Sequence, residues 1–378
     1  MVTPKRLVFF QANTQYENTG DVLINKSLLD HLKHYANIVV NDAGMPVWYV
    51  DELGVGQSER ISNIGKSFKG YLISAALRGF FFRKTLKIYL IAGPPGHQSG
   101  NSKSKAVRNI ISGFFFCFLQ LLGVKIIKVG FSLGSIGNYI AFAEKFRSLF
   151  TNFYYIRDSI SLKLAKDIGI KKAVFFPDLA WTYHPVMSAV NSTVTYPKNK
   201  ILITFRDAVG KGDYNDTYLH KIDRILDATL NKYQHKYEFV VVYQVQMDYD
   251  FCKKLYDKLS ERYPISFVED QITLGSAQEF YSDVICMLTN RLHGALLAYK
   301  YGALPVILTD IDKHTKIKGI YEDAGLSDLM ANTNDNSEKI LAGLSDLLEN
   351  KSMVYKKIQK VEKEYIELSN ILVNKIFQ

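Results

Sequence analysis

The sequence predicts two α/β domains, each a doubly wound sheet of parallel strands, on three observations. The chain has 378 residues, more than one ordinary hydrophobic core organises, so two bodies are expected. Short apolar runs, each followed by a polar loop and then an amphipathic stretch, recur along it. Such strand-loop-helix alternation builds parallel sheets covered by helices, with the loops gathered on one edge. Between residues 182 and 200 the alternation stops and Pro, Ser, Thr and Asn accumulate. The expected partition is 1–182 as an N-terminal domain, 183–200 as linker, 201–350 as a C-terminal domain and 351–378 as a terminal helix.

The first half opens with RLVFF (6–10), a compact apolar strand, then the loop QANTQYENTGD and a helical pattern on Val22, Leu23, Leu28, Leu29 and Leu32. Asn18, Thr19, Gly20 and Asp21 therefore occupy a strand-to-helix turn, where Gly permits an unusual backbone and Asp can cap the helix. Capping alone would explain Asp21; the alternative is a loop that holds a ligand. NTGD is neither a GxGxxG pattern nor a P-loop. NIVV (37–40) is a second strand, and 41–66 reads as a long loop with short ordered pieces.

Two basic and aromatic stretches follow, 69–87 with Lys69, Arg78, Arg83, Lys84 and three consecutive Phe, and 101–123 with GFFFCFLQLLG. They read either as interfacial segments for an anionic membrane or as helices with aromatic faces in the core. Three further strands each run into a polar loop: LKIYLI into GPPGHQ with His97, VKIIKVGF into SLGSIGN with Ser132 and Ser135, and FYYI into Arg157 and Asp158. FFPDLAW, with Asp178, closes the series. Asp158 could simply cap its helix.

In the second half, ILITF (201–205) ends in Arg206 and leads into DAVGKGD, with Lys211, before a helix over 214–233. Strands follow at 237–246, 264–268, 283–288 and 304–308, with helices at 249–262 and 276–281 between. DVICML delivers Arg291 and His293 to the start of a helix that ends before Gly302. In open α/β sheets ligands sit beyond the carboxyl ends of strands, and a helix N-terminus favours an anion, so a phosphate or carboxylate ligand is expected here. The other reading pairs Arg291 with a structural carboxylate and makes His293 a cap or core residue. If the strands before Arg206 and Arg291 are neighbours, the two cations form a clamp for a compound bearing phosphate and carboxylate. Lys313, His314 and Lys316 are expected on the same edge. The charged run over 337–378 is read as a solvated helical face.

Composition bounds the partners. A formal charge of +10 implies something anionic: nucleic acid, an acidic membrane surface or phosphorylated substrates. Cys117, Cys252 and Cys286 show neither a disulfide framework nor metal-ligand spacing, which fits a reducing cytoplasm. The N-terminus carries no signal-peptide pattern, and 113–123 is too short to span a bilayer.

Taken together, NTGD (18–21), SLGSIGN (132–138), RDSIS (157–161), PDLA (177–180), Arg206 after ILITF, RLHG with AYKYGALPVI (291–307) and KIKGIYEDAGL (316–326) resemble the polysaccharide pyruvyl transferases, which build ketals on sugars from phosphoenolpyruvate. The resemblance spans most of the chain. It implies a glycosyltransferase B-type architecture: two Rossmann-like doubly wound domains facing a cleft, with the donor in the C-terminal domain and the acceptor glycan towards the N-terminal one. It implies phosphoenolpyruvate binding by Arg206, Arg291, Leu292 and His293, to which position adds Lys316. Asn18, Gly20, Asp21, His97, Ser135 and Asp158 fall on the acceptor side. Where relatives commonly carry a run of glycines after the third strand, this chain has GPPGHQ.

The implied chemistry needs an acid, a base and phosphate stabilisation. His293 is the natural proton donor because imidazole titrates near neutrality, Arg206 and Arg291 would hold the carboxylate and the departing phosphate, and Asp21 is preferred as base over His97 and Asp158. No cofactor or metal is expected beyond phosphoenolpyruvate as co-substrate. The expected acceptor is a galactose of a polyprenyl-diphosphate-linked precursor of a bacterial capsule or exopolysaccharide, modified at the inner face of the cytoplasmic membrane. A nucleotide-sugar glycosyltransferase, with Arg206, Lys211 and Arg291 on a diphosphate, is the alternative. A non-catalytic nucleic-acid or membrane binder would explain the charge but leave the loop motifs unused, and no nucleic-acid-binding signature is present, so no nucleic-acid partner is expected.

Overall fold

The computed structural model describes residues 4–185, 198–206 and 216–378, with the side chains of 216 and 217 left aside. The chain divides into two compact units: Met1–Tyr16, Ile24–Thr182 and Tyr365–Gln378 in the first, Glu17–Leu23 and Tyr183–Glu364 in the second.

In the first unit the strands are β1 (Lys5–Phe10), β2 (Asn37–Val40), β3 (Leu86–Ile91), β4 (Gly96–Gly100), β5 (Lys125–Ile136), β6 (Phe153–Ile156) and β7 (Ala173–Phe175). They form one parallel sheet in the order β2-β1-β3-β5-β6-β7, with β4 beside β5. The helices in chain order are α1 (Thr19–Lys33), whose first turns count with the second unit, α2 (Val47–Glu52), α3 (Ile61–Ile64), α4 (Phe68–Phe81), α5 (Lys103–Leu121), α6 (Asn138–Leu149) and α7 (Ser159–Asp167). Phe9, Val39, Leu72, Ala76, Ile88, Phe116, Leu119 and Ile126 meet in a core between the sheet, α4 and α5.

The second unit has β8 (Lys200–Thr204), α8 (Asp216–Tyr233), β9 (Glu238–Val241), α9 (Tyr249–Ser260), β10 (Ile265–Phe267), α10 (Ala277–Tyr281), β11 (Val284–Thr289), α11 (Leu292–Lys300), β12 (Leu304–Thr309), α12 (Thr315–Asp323), β13 (Met330–Asn332), α13 (Ser337–Glu349) and the first half of α14 (Lys351–Phe377). Its parallel order is β10-β9-β8-β11-β12-β13. The order reverses between β8 and β11, and that switch point is where open α/β sheets leave a crevice at the carboxyl edge.

Several expectations are corrected. Residues 1–182 are not one body. Glu17–Leu23 joins the second unit because its backbone pairs there: Thr19 N donates to Gln244 O at 3.0 Å, Gln246 N to Glu17 O at 3.0 Å, and Asn18 bridges Val245. The terminal helix is not simply solvated. Its end belongs to the first unit, where Leu372, Val373, Ile376 and Phe377 are buried and Phe377 stacks on Tyr35 with ring centroids 5.2 Å apart. The segment read as the GPPGHQ loop contains β4, because β5 runs past the end of β3 and leaves an open edge for His97 and Gln98 to pair with Ser132 and Leu133. Most of the proposed 183–200 linker, and the DAVGKGD loop with Lys211, lie outside the described residues.

Candidate active site

The site grows from the switch point of the second sheet. β8 and β11 are neighbours, with Thr204 opposite Thr289. Their continuations are tied together: Arg206 N donates to Asn290 Oδ1 at 2.9 Å and Asn290 Nδ2 donates to Arg206 O at 3.1 Å. Arg206 and Arg291 thus leave adjacent strands at one edge, the condition for the two-cation clamp. Arg291 is the N-cap residue of α11 and its side chain caps nothing, while Arg291 N is held by Thr289 Oγ1 at 2.9 Å. The helix's first N–H groups therefore rise beside both cations. On the far side of β11, β12 leads into the first turn of α12, which carries the half-buried Lys316.

Arg291 has a carboxylate partner that the spacing did not reveal. Asp248, buried at the end of a single helical turn before α9, accepts from Arg291 Nε at 2.7 Å and from Nη2. The structural-carboxylate reading is correct for that edge of the guanidinium. A bidentate fork of this kind fixes a planar group in one orientation and leaves Nη1 to point elsewhere. Asp248 acts on Arg291 as a positioning residue.

His293 is neither the cap nor a core residue: it is the second residue of α11 and half-buried, between the buried Leu292 and Gly294. Its neighbours are close. A Cβ on Gly20 would stand 2.8 Å from His293 Cβ and 3.1 Å from Nδ1, and a Cβ on Gly294 would stand 2.0 Å from Gln244 Oε1. Both glycines are therefore required by approach rather than by backbone conformation. Asn18, not Asp21, caps α1, its Oδ1 accepting from Gly20 N at 3.1 Å. Asp21 sits half-buried in the same turn. Thr19 Oγ1 donates to Ile272 O at 2.7 Å. So Asn18, Gly20 and Asp21 belong to the second unit, and of them Gly20 meets His293. Gly20→Ala is expected to displace His293, lowering stability by about 1–3 kcal/mol and turnover more than the apparent affinity for the donor. Thermal unfolding and steady-state kinetics check it.

Other expected residues take different places. The Leu292 side chain is core, so only its backbone can face a ligand. His314 is buried, with Nδ1 2.8 Å from Thr309 Oγ1, and Lys313 is exposed at the same edge. In the first unit, Asp158 is fully buried and structural. It accepts from Ser161 N at 2.7 Å, Ser132 Oγ at 2.6 Å and Ser161 Oγ at 2.8 Å, while Arg157 pairs with the buried Asp178 at 3.0 Å. That removes Asp158 as a general base and gives the SLGSIGN, RDSIS and PDLA segments a shared scaffolding role. His97 and Ser135 remain exposed at the ends of β4 and β5, with the His97 ring over Gly134. The first sheet has its own switch point, between β1 and β3. There a cavity of about 320 Å³ is lined by Gln11, Gly93, Lys69, Leu72, Arg108 and Ile111.

Asp248, Gln244 and Asn290 were missed. Gln244, Gln246 and Asp248 do follow an apolar strand as a polar cluster, which is the one signal available. Among the described residues no group of three or more His, Cys, Asp or Glu is placed to hold a metal ion.

Two parallel α/β units, the second with cations and a histidine at its switch point, make up a glycosyltransferase B-type fold. The match to the polysaccharide pyruvyl transferase family model covers residues 18–309, and the chain belongs to that family. No curated relative matches. Among solved structures, UDP-GlcNAc 2-epimerase from Neisseria meningitidis bound to UDP-GlcNAc aligns over 98% of this chain and 99% of its own, at 13% identity and a TM-score of 0.56. The MnaA–UDP complex from S. aureus aligns over 99% and 96%, at 11% identity and a TM-score of 0.54. At these identities the likeness is one of fold. The protein is a transferase of the pyruvyl type in polysaccharide biosynthesis.

Proposed function

We propose that the second unit binds phosphoenolpyruvate at its switch point and transfers the pyruvyl group to a sugar, taken to be galactose, of a lipid-linked capsule or exopolysaccharide precursor. The observation that carries this reading is the arrangement of Arg206 and Arg291 on adjacent strands beside the N-terminus of α11, with Arg291 aimed by Asp248. Arg291 Nη1, Arg206 and Lys316 hold the carboxylate and phosphate of the donor. His293 delivers a proton to C3, which makes C2 electrophilic. One sugar hydroxyl forms a bond to C2 as it loses its proton to a base, a role given to Asp21, which stands in the same turn as the Gly20 that meets His293. The C2–O bond to phosphate breaks with its electron pair going to the phosphate, and a second hydroxyl of the same sugar closes the ketal and yields its proton to the now neutral His293. The clamp neutralises the charge that grows on the leaving phosphate. A polyprenyl diphosphate carrier for the acceptor fits the chain's positive charge and places the reaction at the inner leaflet.

The test is phosphate release from phosphoenolpyruvate with and without a galactose-containing lipid-linked oligosaccharide. Acceptor-dependent phosphate with a matching pyruvate mass on the glycan is expected, and Arg291→Ala should reduce it by more than about 100-fold. Heat protection by UDP-GlcNAc without protection by phosphoenolpyruvate would overturn the reading in favour of glycosyl transfer.

A further inference from the structure

We infer that the first unit docks on an anionic lipid bilayer through the outer face of α5, flanked by α6. The inner face of α5 is already satisfied, with Ala106, Gly113, Phe116 and Leu119 buried. Its outer face nevertheless carries Val107, Ile111, Phe114, Phe118 and Leu121, each 43 to 71% exposed. Their spacing of four, three, four and three residues aligns them in one stripe along the helix, about 21 Å long.

Neighbouring elements extend the stripe. Gly113 lets α6 approach so closely that a Cβ there would stand 2.8 Å from the Phe146 ring, and Phe114 packs on that ring with centroids 5.1 Å apart. α6 adds Phe142, which is 65% exposed, and Leu149. Ile111 also lines the switch-point cavity together with Lys69, Leu72 and Arg108, so the stripe is continuous with a recess bearing two cations. Exposed apolar surface on this scale marks an interaction site rather than ordinary surface composition.

Charge decides the occupant. Residues 60–143 hold twelve Lys or Arg and no Asp or Glu, so the whole net charge of +10 originates in this segment. A second copy of the chain would bring two acid-free faces together, and their repulsion works against an apolar seam. Nucleic acid would match the cations but leave the stripe in water. A bilayer with anionic headgroups satisfies both, seating Ile111, Phe114 and Phe118 at the acyl boundary with Lys103, Lys105 and Arg108 among the phosphates. The sequence contained both basic-aromatic stretches; the structure shows that α5 carries apolar residues on two sides, one in the core and one exposed.

The experiment is sedimentation of the full chain with vesicles of phosphatidylglycerol mixed with phosphatidylcholine, and with pure phosphatidylcholine. Wild type is expected to pellet with the anionic vesicles and to be released by high salt. The combined change Ile111→Ser, Phe114→Ser and Phe118→Ser should weaken binding by at least about tenfold with circular dichroism unchanged. Lys103→Gln, Lys105→Gln and Arg108→Gln together should abolish the preference for phosphatidylglycerol. Unaltered binding in both variants overturns the inference. So does a lipid-free dimer that the serine variant dissolves, since the stripe would then be an interface between copies. Vesicle binding is read without catalysis, so its failure is distinct from failure of the pyruvyl-transfer reading.

Discussion

His293→Ala is expected to lower acceptor-dependent phosphate release by about 10²–10⁴-fold while heat protection by phosphoenolpyruvate stays nearly unchanged. The expectation comes from where the ring sits. It projects from the first turn of α11 at the sheet edge that Arg206 and Arg291 leave, where the proposed mechanism gives the anion to those two cations, and its position is fixed by the close approach of Gly20. Removing a proton donor from an otherwise complete binding site affects the transition state more than the ground state. A variant whose KM for phosphoenolpyruvate rises at constant kcat would show instead that His293 only binds. His293→Asn separates the cases further, since an amide can bond to the donor but cannot protonate it.

Glu144→Gln is expected to destabilise the first unit by about 3–5 kcal/mol. Glu144 is completely buried and surrounded by donors: Lys128 Nζ, Arg147 Nη2 at 2.7 Å, Tyr154 OH at 2.8 Å and Gln98 Nε2 at 3.1 Å. The amide would leave the buried Lys128 ammonium without its counter-charge. Burial alone would raise the Glu144 carboxyl, yet Lys128, Arg147 and the hydrogen bonds from Lys128 and Tyr154 hold it well below its ordinary value of 4.5. A folded-state pKa depressed in this way contributes stability that is fully present above the unfolded value and is lost as pH falls towards the folded one. Urea denaturation of wild type should therefore show stability falling below about pH 4.5, and the Gln variant should show a flatter acid limb from a lower plateau. Burial also pulls the Lys128 ammonium below its ordinary value, but Lys128 stays protonated throughout that acid range. Pairing Glu144→Gln with Lys128→Met removes the stranded charge and should recover much of the loss; no recovery would mean that Tyr154 and Arg147, rather than Lys128, depend on Glu144.

Much of this molecule was legible because apolar runs of four to six residues ending in polar loops leave few alternatives to parallel strands. The runs before Arg206 and Arg291 proved to be neighbours, the adjacency on which the proposed clamp depends. Partnerships across long separations were not legible. Nothing in the spacing links Arg291 to Asp248, or Gly20 to His293, because those contacts are set by packing of loops rather than by periodicity. Asp158 illustrates the opposite limit. Its position beside Arg157 at a strand end suited a catalytic base and a helix cap equally, and three donors within 2.8 Å decide for the cap. The run GFFFCF hid its own division of labour, since three consecutive Phe cannot show which one faces inward; Phe116 does and Phe114 does not.

The strand-like pairing of residues 17–19 with Gln244 and its neighbours has a consequence for biosynthesis. The segment that backs His293 leaves the ribosome about 270 residues ahead of it. At ordinary elongation rates of 5–20 residues per second it waits roughly 14 to 55 s for its counterpart. For roughly the first 225 residues of that interval Thr19 and Asn18 have no β9 extension to bond, while the strands of the first unit already have one another. The reactive centre is therefore completed late in synthesis, and a nascent chain arrested before residue 294 would carry a folded first sheet but no assembled site.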